Sequence, residues 1–525
     1  MEREIGVTLC LMLLLCCKGD AVIQTTCPAR CHCFTPTQVL CSDERMTSLP
    51  KVVFTQVKEF IVMTTSLAFL FPNTSQESPQ ITKLVFFNNV LRDIHAMAFE
   101  KLTQLKELEI SGNPWLRRLF PGTFSQQGNL TKLILNFNKF ETIPPGMFDS
   151  LAELETLQMK GNIISQLPMF LFQSLQNLRV LDLSQNMLER LEGGCLSGLA
   201  KLETLKVNYN LISNISSDTF LNVTQLKELN LEGNKILDLP HKLFSMLTQL
   251  EVLNLRGNLL SSFSAQLFGV VPSSLKELTL KGNRLKVLSS HSLGGLDSLT
   301  FLSLSSNQLS ELPEDVFRNL TELESLDLSD NWLTSLPETI FQDLFNLKAL
   351  HLNRNNISKV STKLFKDQLL LQCLYLSDNQ FQNLPLGLFH PFLLHGIVRL
   401  HGNPWQCDCH MRYLHDWVLN NSVKVEELDK VFCKGPSYFS GQTFTSVDRE
   451  QLVCHISNEW LQDLSKCSLK AADDTMIIHC KVNRCFPLKV KVQFQDDGGG
   501  ICENLEKKEW PEHLQWVNKS STPTR

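Results

Sequence analysis

Leucines recur along most of the chain in a fixed pattern that includes one constant polar position. The segment LKELNLEGNKI (226–236) aligns with LKELTLKGNRL (275–285) and LESLDLSDNWL (323–333), and each reads LxxLxLxxNxL. The alternation within LxLx predicts a short β-strand with one buried face. Many units continue with LPxxxFxxL, as in LPMFLFQSL (167–175). This second pattern predicts an irregular or short helical segment that buries its Phe.

The constant polar residue is an asparagine that recurs every 24 or 25 residues. One earlier unit has Thr65 in its place, and fourteen asparagines keep the register: Asn89, Asn113, Asn138, Asn162, Asn186, Asn210, Asn234, Asn258, Asn283, Asn307, Asn331, Asn355, Asn379 and Asn403. An internal repeat of this length and composition is the leucine-rich repeat. The asparagine amide both donates and accepts hydrogen bonds, so it can pair backbone groups that each turn would otherwise bury unpaired.

The repeat predicts an α/β solenoid shaped as a horseshoe, with a parallel β-sheet on its concave side. Stacked repeats bury one another's apolar faces, so the two ends of the stack need covers. Cysteine-rich segments stand at both ends. We expect a signal peptide at 1–21, an N-terminal cap at 22–51, repeats at 52–401, a C-terminal cap at 402–455 and a small cysteine-containing β appendage at 456–525.

The first residues indicate the compartment, and the net charge indicates which partners are not expected. The apolar run from Val7 to Cys17 is too short to span a bilayer, and Gly19 and Ala21 suit a signal-peptide cleavage site. No later stretch is apolar for 18 residues, so we expect neither a membrane span nor a lipid anchor. The net charge of −5 gives no reason to expect nucleic acid or an anionic membrane as partner. The sequence therefore predicts a secreted, extracellular protein.

Fourteen cysteines follow the predicted signal peptide, and twelve of them fall into three groups of four. These are Cys27, Cys31, Cys33 and Cys41; Cys407, Cys409, Cys433 and Cys454; and Cys467, Cys480, Cys485 and Cys502. In an oxidising compartment each group reads as two disulfides, with three connectivities open by spacing alone. A zinc site is the weaker alternative, because no CxxC pair is present.

Two cysteines stand alone within the repeats. Cys195 and Cys373 are seven to eight repeats apart, which is more than about 30 Å at about 4.8 Å per strand. That separation excludes a disulfide between them within one chain. We interpret both as buried free thiols, with an intermolecular link as the alternative.

Two further elements are expected beyond the repeats. Met411, Leu414, Trp417 and Val418 are apolar at helical spacing, so a helix should lie across the last coil. In the appendage, TMIIHCKVNRCFPLKVKVQF (475–494) alternates like one or two strands, and QDDGGG reads as a turn.

The sequence contains no motif for catalysis or for a metal. HExxH, HxxE, GxSxG and GxxxxGK[ST] are all absent, so we expect neither an enzyme nor a cofactor. His351 should face the concave side as an ordinary surface residue rather than as a catalytic partner of Tyr375. Aromatic and arginine side chains typically anchor protein partners. The candidate partner-binding residues on the concave side are Tyr209, Arg256, Phe301, Arg354 and Tyr375.

Eight N-x-S/T sequons predict glycosylation on loops and flanks, outside the asparagine register. They begin at Asn73, Asn129, Asn214, Asn222, Asn319, Asn356, Asn420 and Asn518.

Both caps and the tail resemble a known family of secreted leucine-rich-repeat proteins. The residues that carry the resemblance are CPARCHCFTPTQVLCSDERMTSLP, LHGNPWQCDCHMRYLHDWV, CKGPSYFSGQ, QLVC and the four tail cysteines. They resemble the large, non-catalytic subunits of carboxypeptidase N over essentially the whole chain after the signal. The resemblance to such caps implies the disulfides Cys27–Cys33, Cys31–Cys41, Cys407–Cys433 and Cys409–Cys454.

The resemblance also implies a function. Such a protein would be a plasma glycoprotein that binds and stabilises a zinc carboxypeptidase catalytic subunit in a hetero-oligomer, leaving zinc and catalysis to its partner. The alternative is a receptor ectodomain or matrix protein of the same fold that binds another extracellular protein. A membrane anchor would favour the receptor, and Ser-Gly attachment runs would favour a matrix proteoglycan.

Overall fold

The structure is a computed structural model that describes residues 27–50, 56–72, 80–269, 273–392 and 396–454, together with the backbone of 467–472 and 475–480. The chain divides into two compact units, residues 1–454 and 455–525. The predicted signal peptide, the turn at 495–500, Asn73, Asn518, Cys485 and Cys502 lie outside the described residues.

The first unit is a parallel β-solenoid, as the repeat predicts. Its concave side is an 18-stranded sheet made of β1 (Cys31–Thr35), β2 (Gln38–Cys41), β3 (Glu59–Met63), β5 (Lys83–Phe87), β7 (Glu107–Ser111), β8 (Lys132–Ile134), β9 (Thr156–Gln158), β10 (Val180–Asp182), β12 (Thr204–Lys206), β14 (Glu228–Asn230), β15 (Val252–Asn254), β16 (Glu277–Thr279), β17 (Phe301–Ser303), β18 (Ser325–Asp327), β19 (Ala349–His351), β20 (Cys373–Tyr375), β21 (Ile397–Arg399) and β23 (Val425–Glu426). Two-stranded sheets are formed by β4 (Phe69–Leu70) with β6 (Asp93–Ile94), β11 (Arg190–Leu191) with β13 (Asn214–Ile215), and β22 (Trp405–Gln406) with β24 (Cys433–Gly435).

Strand register advances by one repeat at each step across the sheet. Leu229 in β14 is paired with Leu253 in β15, which is paired with Leu278 in β16. The β1–β2 hairpin is antiparallel, and the later neighbours are parallel. Equivalent side chains of successive coils therefore form straight rows across the sheet, about 4.8 Å apart.

The buried asparagines pair the backbone of adjacent coils. The Asn258 side chain donates from Nδ2 to the carbonyls of Leu231, at 3.0 Å, and Leu255, at 3.1 Å, and its Oδ1 accepts from Ile236 N at 3.1 Å. Thr65 starts this ladder, since its Oγ1 donates to Asn89 Oδ1 at 2.7 Å. The amides thus pair backbone groups that would otherwise be buried without partners, which accounts for the asparagine that recurs from Asn89 to Asn403.

The convex side consists mainly of turns whose phenylalanines enter the core. Phe148 stacks on Phe172 with ring centroids 6.1 Å apart, and Phe341 stacks on Phe365 at 6.2 Å. Helical structure was one of two expectations for these segments. Within the described repeats the only helix is a short 3₁₀-helix at Ala265–Phe268, so the solenoid is of the β type.

The C-terminal cap contains α1 (Arg412–Asn420), the one α-helix of the described residues. Met411, Leu414 and Val418 are fully buried, and the Trp417 ring lies 4.4 Å from that of Phe389 in the last coil. The helix therefore covers the open end of the core, as its apolar spacing predicts. Six 3₁₀-helices complete the cap: Cys409–Met411, Ser422–Lys424, Leu428–Lys430, Ser437–Phe439, Phe444–Ser446 and Arg449–Gln451.

Four disulfides lie in the two caps. They join Cys27 to Cys33, Cys31 to Cys41, Cys407 to Cys433 and Cys409 to Cys454. Among the described residues no helix is both long and apolar enough to cross a membrane.

The second unit contains one described hairpin. Strands β25 (Cys467–Ala472) and β26 (Thr475–Cys480) are antiparallel, and the backbone register places Cys467 opposite Cys480. Strand β26 coincides with the start of the predicted strand region, whereas β25 precedes it.

Candidate protein-binding surface

The repeat geometry determines which side chains line the concave sheet. Counting from the first Leu of LxxLxLxxN, positions 4 and 6 enter the core, and positions 3, 5, 7 and 8 lie at the concave side. In β15, Leu253 is 1% exposed, whereas its neighbours Val252 and Asn254 are half-buried on the opposite face. Because positions 3 and 5 lie on the face opposite the core, and are half-buried in most coils, their residue type is free to vary for binding.

Position 8 has a left-handed backbone in each coil from Thr64 to Gly402, with φ between 53° and 73°. Where position 8 carries an aromatic residue, the next coil has glycine there. A Cβ on Gly161 would lie 2.4 Å from the Phe137 ring, and a Cβ on Gly233 would lie 2.6 Å from the Tyr209 ring. These two rings are therefore held flat against the neighbouring coil.

Two of the predicted anchors, Tyr209 and Arg256, are joined by a glutamate that sequence reasoning missed. The Tyr209 hydroxyl donates to Glu232 Oε1 at 2.8 Å, and Arg256 Nε lies 3.6 Å from the same oxygen. Asn254 Nδ2 donates to the other carboxylate oxygen at 3.1 Å. The hydrogen bond to Glu232 raises the pKa of Tyr209. Glu232 occupies position 7, which lies at the concave side. That position was the only feature of the sequence that could have identified Glu232 as part of the surface.

Another predicted anchor, Tyr375, is the centre of a stacked cluster near the C-terminal cap. The His351 ring stacks on it with centroids 4.6 Å apart, and the guanidinium carbon of Arg399 lies 4.0 Å from its ring centroid. Arg399 also forms an ion pair with Glu426 of the cap. Sequence reasoning identified Tyr375 but missed Arg399, although Arg399 holds position 5 of the last coil.

Among the residues that the structure describes, no hydrogen bond, ion pair or ring contact joins the remaining two anchors to these clusters. Phe301 is half-buried in β17, between Glu277 and Ser325 in the register. Arg354 is exposed at position 8, where its Nε lies 4.0 Å from Asp378 Oδ2. Three of the five anchors thus lie in two clusters, and the other two stand separately along the same sheet.

Near the N-terminal cap, the concave sheet carries an apolar row that the predicted site did not include. Position 5 brings together Ile61, Val85, Glu109 and Ile134, with one carboxylate among aliphatic side chains. At position 7, Phe87 is 37% exposed. The repeat alignment places these side chains on the concave side, but their residue types alone gave no reason to select them as partner-binding residues.

Cys373 differs from the expectation of two buried thiols. Cys195 is buried, but Cys373 is half-buried because it holds outward-facing position 3 of β20. Its Sγ lies 3.8 Å from His351 Nε2, and His351 Nδ1 lies 3.9 Å from Asp327 Oδ1. Burial raises the pKa of the Cys373 thiol and lowers that of the His351 imidazole. Both shifts disfavour the thiolate–imidazolium pair that a cysteine nucleophile needs.

One group in the C-terminal cap has the spacing of metal ligands: Asp408, Cys409, His410 and Cys454. Its two cysteines are joined in a disulfide, which removes the thiolates that would bind a metal. Asp408 instead caps the first turn of the following 3₁₀-helix by accepting from His410 N at 2.9 Å. This group is accounted for by the structure of the cap.

The six described sequon asparagines are all exposed. None lies in a strand of the concave sheet: Asn129, Asn214, Asn222, Asn319, Asn356 and Asn420. Glycans at these positions would leave the concave side chains accessible.

The family profile described as "Leucine rich repeat" matches residues 104–164, 153–212, 201–260, 224–274, 248–309, 273–333, 300–357 and 321–381. These matches span more than half of the chain, which therefore belongs to the leucine-rich-repeat family. A curated relative is carboxypeptidase N subunit 2 of Homo sapiens, 35% identical over 134 residues, or 21% of this chain and 24% of the relative. The aligned part is about a quarter of that relative's length, narrower than the whole-chain resemblance of the motifs implies.

Solved structures support the same fold. A leucine-rich-repeat protein of Leptospira interrogans superposes with a TM-score of 0.62 at 27% identity, covering 72% of this chain and 93% of that chain. TLR13 in its complex with ssRNA13 gives a TM-score of 0.64 at 25% identity, covering 72% of this chain and 55% of that chain.

Proposed function

We propose that this protein is a secreted, non-catalytic scaffold that binds another extracellular protein through its concave sheet. We further propose that the partner is the catalytic subunit of a carboxypeptidase of the carboxypeptidase N type, held in a hetero-oligomer. The similarity to carboxypeptidase N subunit 2 supports this partner, and the four cap disulfides support an oxidising, extracellular location.

The observation that carries the proposal is that aromatic rings on the concave sheet, one exposed and one half-buried, are already held in place before a partner binds. Tyr209 is 51% exposed, yet its ring lies on Gly233 and its hydroxyl is bonded to Glu232. Tyr375 is held between His351 and Arg399. Ordering a side chain on binding costs about 0.5–1.5 kcal/mol, so rings that are already ordered favour association.

A catalytic role is not supported by any arrangement within the described residues. The Cys373, His351 and Asp327 group is the nearest to a catalytic triad, and its pKa shifts oppose activation of the thiol. We therefore propose that zinc and peptide hydrolysis belong to the partner.

The direct test is to titrate the purified chain with the catalytic subunit, using Tyr209→Ala, Phe301→Ala and Tyr375→Ala separately. Truncating a true anchor costs about 2 kcal/mol, or about thirtyfold in Kd. Phe345→Ala is the matched control, because Phe345 is 53% exposed in a turn outside the sheet. Wild-type affinity in all three concave variants, or a loss confined to the control, would refute the concave assignment.

A further inference from the structure

The concave sheet near the N-terminal cap presents an apolar row that one carboxylate interrupts. Leu40, Ile61 and Ile134 are half-buried in this row, and Val85 is 9% exposed. The strand register aligns Leu40 of β2 with Ile61, then Val85, Glu109 and Ile134 of β8. Five strands at about 4.8 Å give a row about 19 Å long. Beyond β8 the row becomes polar at Gln158, whose Oε1 accepts from Asn136 Nδ2 at 3.0 Å.

The apolar surface is also wide in this region. Strands β3, β5 and β7 have five residues each, so position 7 also belongs to the strand. Met63 is paired with Phe87 there, which is 37% exposed. Met63 is half-buried. Apolar side chains that are adjacent in register and reach the surface indicate a binding surface more strongly than scattered ones do.

Glu109 is the one charged member of the row. Its neighbours in the register are Val85 on one side and Ile134 on the other. Lys83 forms its ion pair with Glu107 at 3.3 Å, and within the described residues no cation lies within 4 Å of the Glu109 carboxylate. Its side-chain hydrogen-bond partner is Ser111, and its nearby charges are Lys132, Lys83 and Glu107. Burial raises the pKa of the Glu109 carboxyl, consistent with a charge poorly solvated by its surroundings.

We propose that this row, Leu40 to Ile134, binds an extended apolar segment of a partner protein whose single lysine or arginine places its cation against Glu109. The aliphatic stem of such a residue covers apolar surface while its head reaches a carboxylate. A row of about 19 Å accommodates about six extended residues at about 3.4 Å each. Glu109 would repel an anionic segment, and a wholly apolar segment would bury the carboxylate with Ser111 as its hydrogen-bond partner but no cation within 4 Å.

This inference depends on the proposed function only for the use of the concave sheet, and it concerns a different region from the Tyr209 and Tyr375 clusters.

The probes are three fluorescent seven-residue peptides of alternating apolar and serine residues, with lysine, norleucine or glutamate at the central apolar position. Norleucine is the uncharged match for lysine. The protein is the full chain, with folding of each variant checked by its thermal midpoint.

The wild-type chain should bind the lysine peptide about tenfold more tightly than the norleucine peptide, and the glutamate peptide least. Glu109→Gln should remove the preference for lysine, and Glu109→Lys should reverse it in favour of glutamate. Glu228→Gln is the control, since Glu228 is a half-buried concave glutamate paired with Lys206 at 3.5 Å. It should leave the preference unchanged.

Equal binding of the lysine and norleucine peptides, or an equal effect of Glu228→Gln, would overturn the inference. So would unaltered binding by Ile134→Ser, which removes apolar surface beside Glu109. The same variants are titrated with the catalytic subunit in parallel. A lysine preference without binding of that subunit would refute the proposed partner and leave this site standing, whereas subunit binding without the preference would refute this site alone.

Discussion

Strands β3, β5 and β7 near the N-terminal cap are five residues long, whereas β19, β20 and β21 near the C-terminal cap are three. The first region presents an aliphatic row with one carboxylate, and the second presents a stack of His351, Tyr375 and Arg399 tied to the cap. Both stand on the same buried leucines and the same asparagine ladder. The comparison shows that the core positions maintain the coil while positions 3, 5, 7 and 8 define separate surfaces.

The largest expected effect concerns the disulfides at the two ends. In the loop-entropy relation, opening Cys409–Cys454, with a sequence separation of 45, costs about 4 kcal/mol, and opening Cys31–Cys41, with a separation of 10, costs about 3 kcal/mol. Cys409→Ser should therefore reduce secreted yield and the free energy of unfolding more than Cys31→Ser. Cys195→Ser is the control for a buried thiol outside any disulfide, and a loss equal to that of Cys409→Ser would contradict the account.

The asparagine ladder should matter equally in both regions. Asn138→Ala and Asn379→Ala each leave buried backbone groups unpaired, because each amide bonds to backbone of its own and the preceding coil. We expect each to lower the free energy of unfolding by about 2–3 kcal/mol in denaturant titrations. Asn177→Ala, at an exposed asparagine, should change it by less than about 0.5 kcal/mol. A loss of stability in only one of the two variants would mean that the asparagine ladder does not stabilise both regions in the same way.

The cation–π contact of the C-terminal region should be stronger than the one between the coils of β8 and β9. Arg399 lies 4.0 Å from the Tyr375 ring centroid, whereas Lys160 lies 5.8 Å from that of Phe137. Arg399→Ala should cost about 1 kcal/mol in thermal unfolding and Lys160→Ala about 0.5 kcal/mol or less. Equal losses of stability in the two variants would show that the Arg399–Tyr375 contact is no stronger than the Lys160–Phe137 contact.

The smallest expected effect is a pH-dependent gain in the free energy of unfolding when Glu109 is replaced by Gln. Burial raises its pKa in the folded chain, so the charged form is disfavoured on folding. The penalty is fully present above the folded pKa and disappears as the pH falls below the unfolded value near 4.5. Glu109→Gln should raise stability at pH 7 by less than about 1 kcal/mol and leave it unchanged near pH 4. A gain of the same size at both pH values would contradict this cause.

The repeat sequence predicted the fold because core and ladder positions follow a strict period. The spacing of Met411, Leu414 and Val418 likewise predicted the cap helix, since periodicity reports which face is buried. The convex segments were less predictable, because LPxxxFxxL constrains only the buried Phe and leaves the backbone between turns and short helix open.

The surface clusters could be predicted only in part. Tyr209, Arg256 and Tyr375 were identified by residue type, but Glu232 and Arg399, which hold them, were not. Contacts between neighbouring coils depend on which positions meet across the strands and on left-handed backbone at position 8, such as that of Tyr209. Residue type alone also gave no distinction between buried Cys195 and half-buried Cys373.

The central claim is that a protein partner occupies the concave sheet, and glycan wedges test it most directly. Asp182→Asn and Asp327→Asn each create an Asn-Leu-Ser sequon in a concave strand, and Met246→Asn creates Asn-Leu-Thr in a convex turn where Met246 is 45% exposed. After mass spectrometry confirms occupancy, each chain is titrated with the catalytic subunit. The account predicts that a concave glycan abolishes binding while the convex glycan leaves the Kd unchanged. Unchanged binding with both concave glycans, together with loss from the convex one, would contradict it.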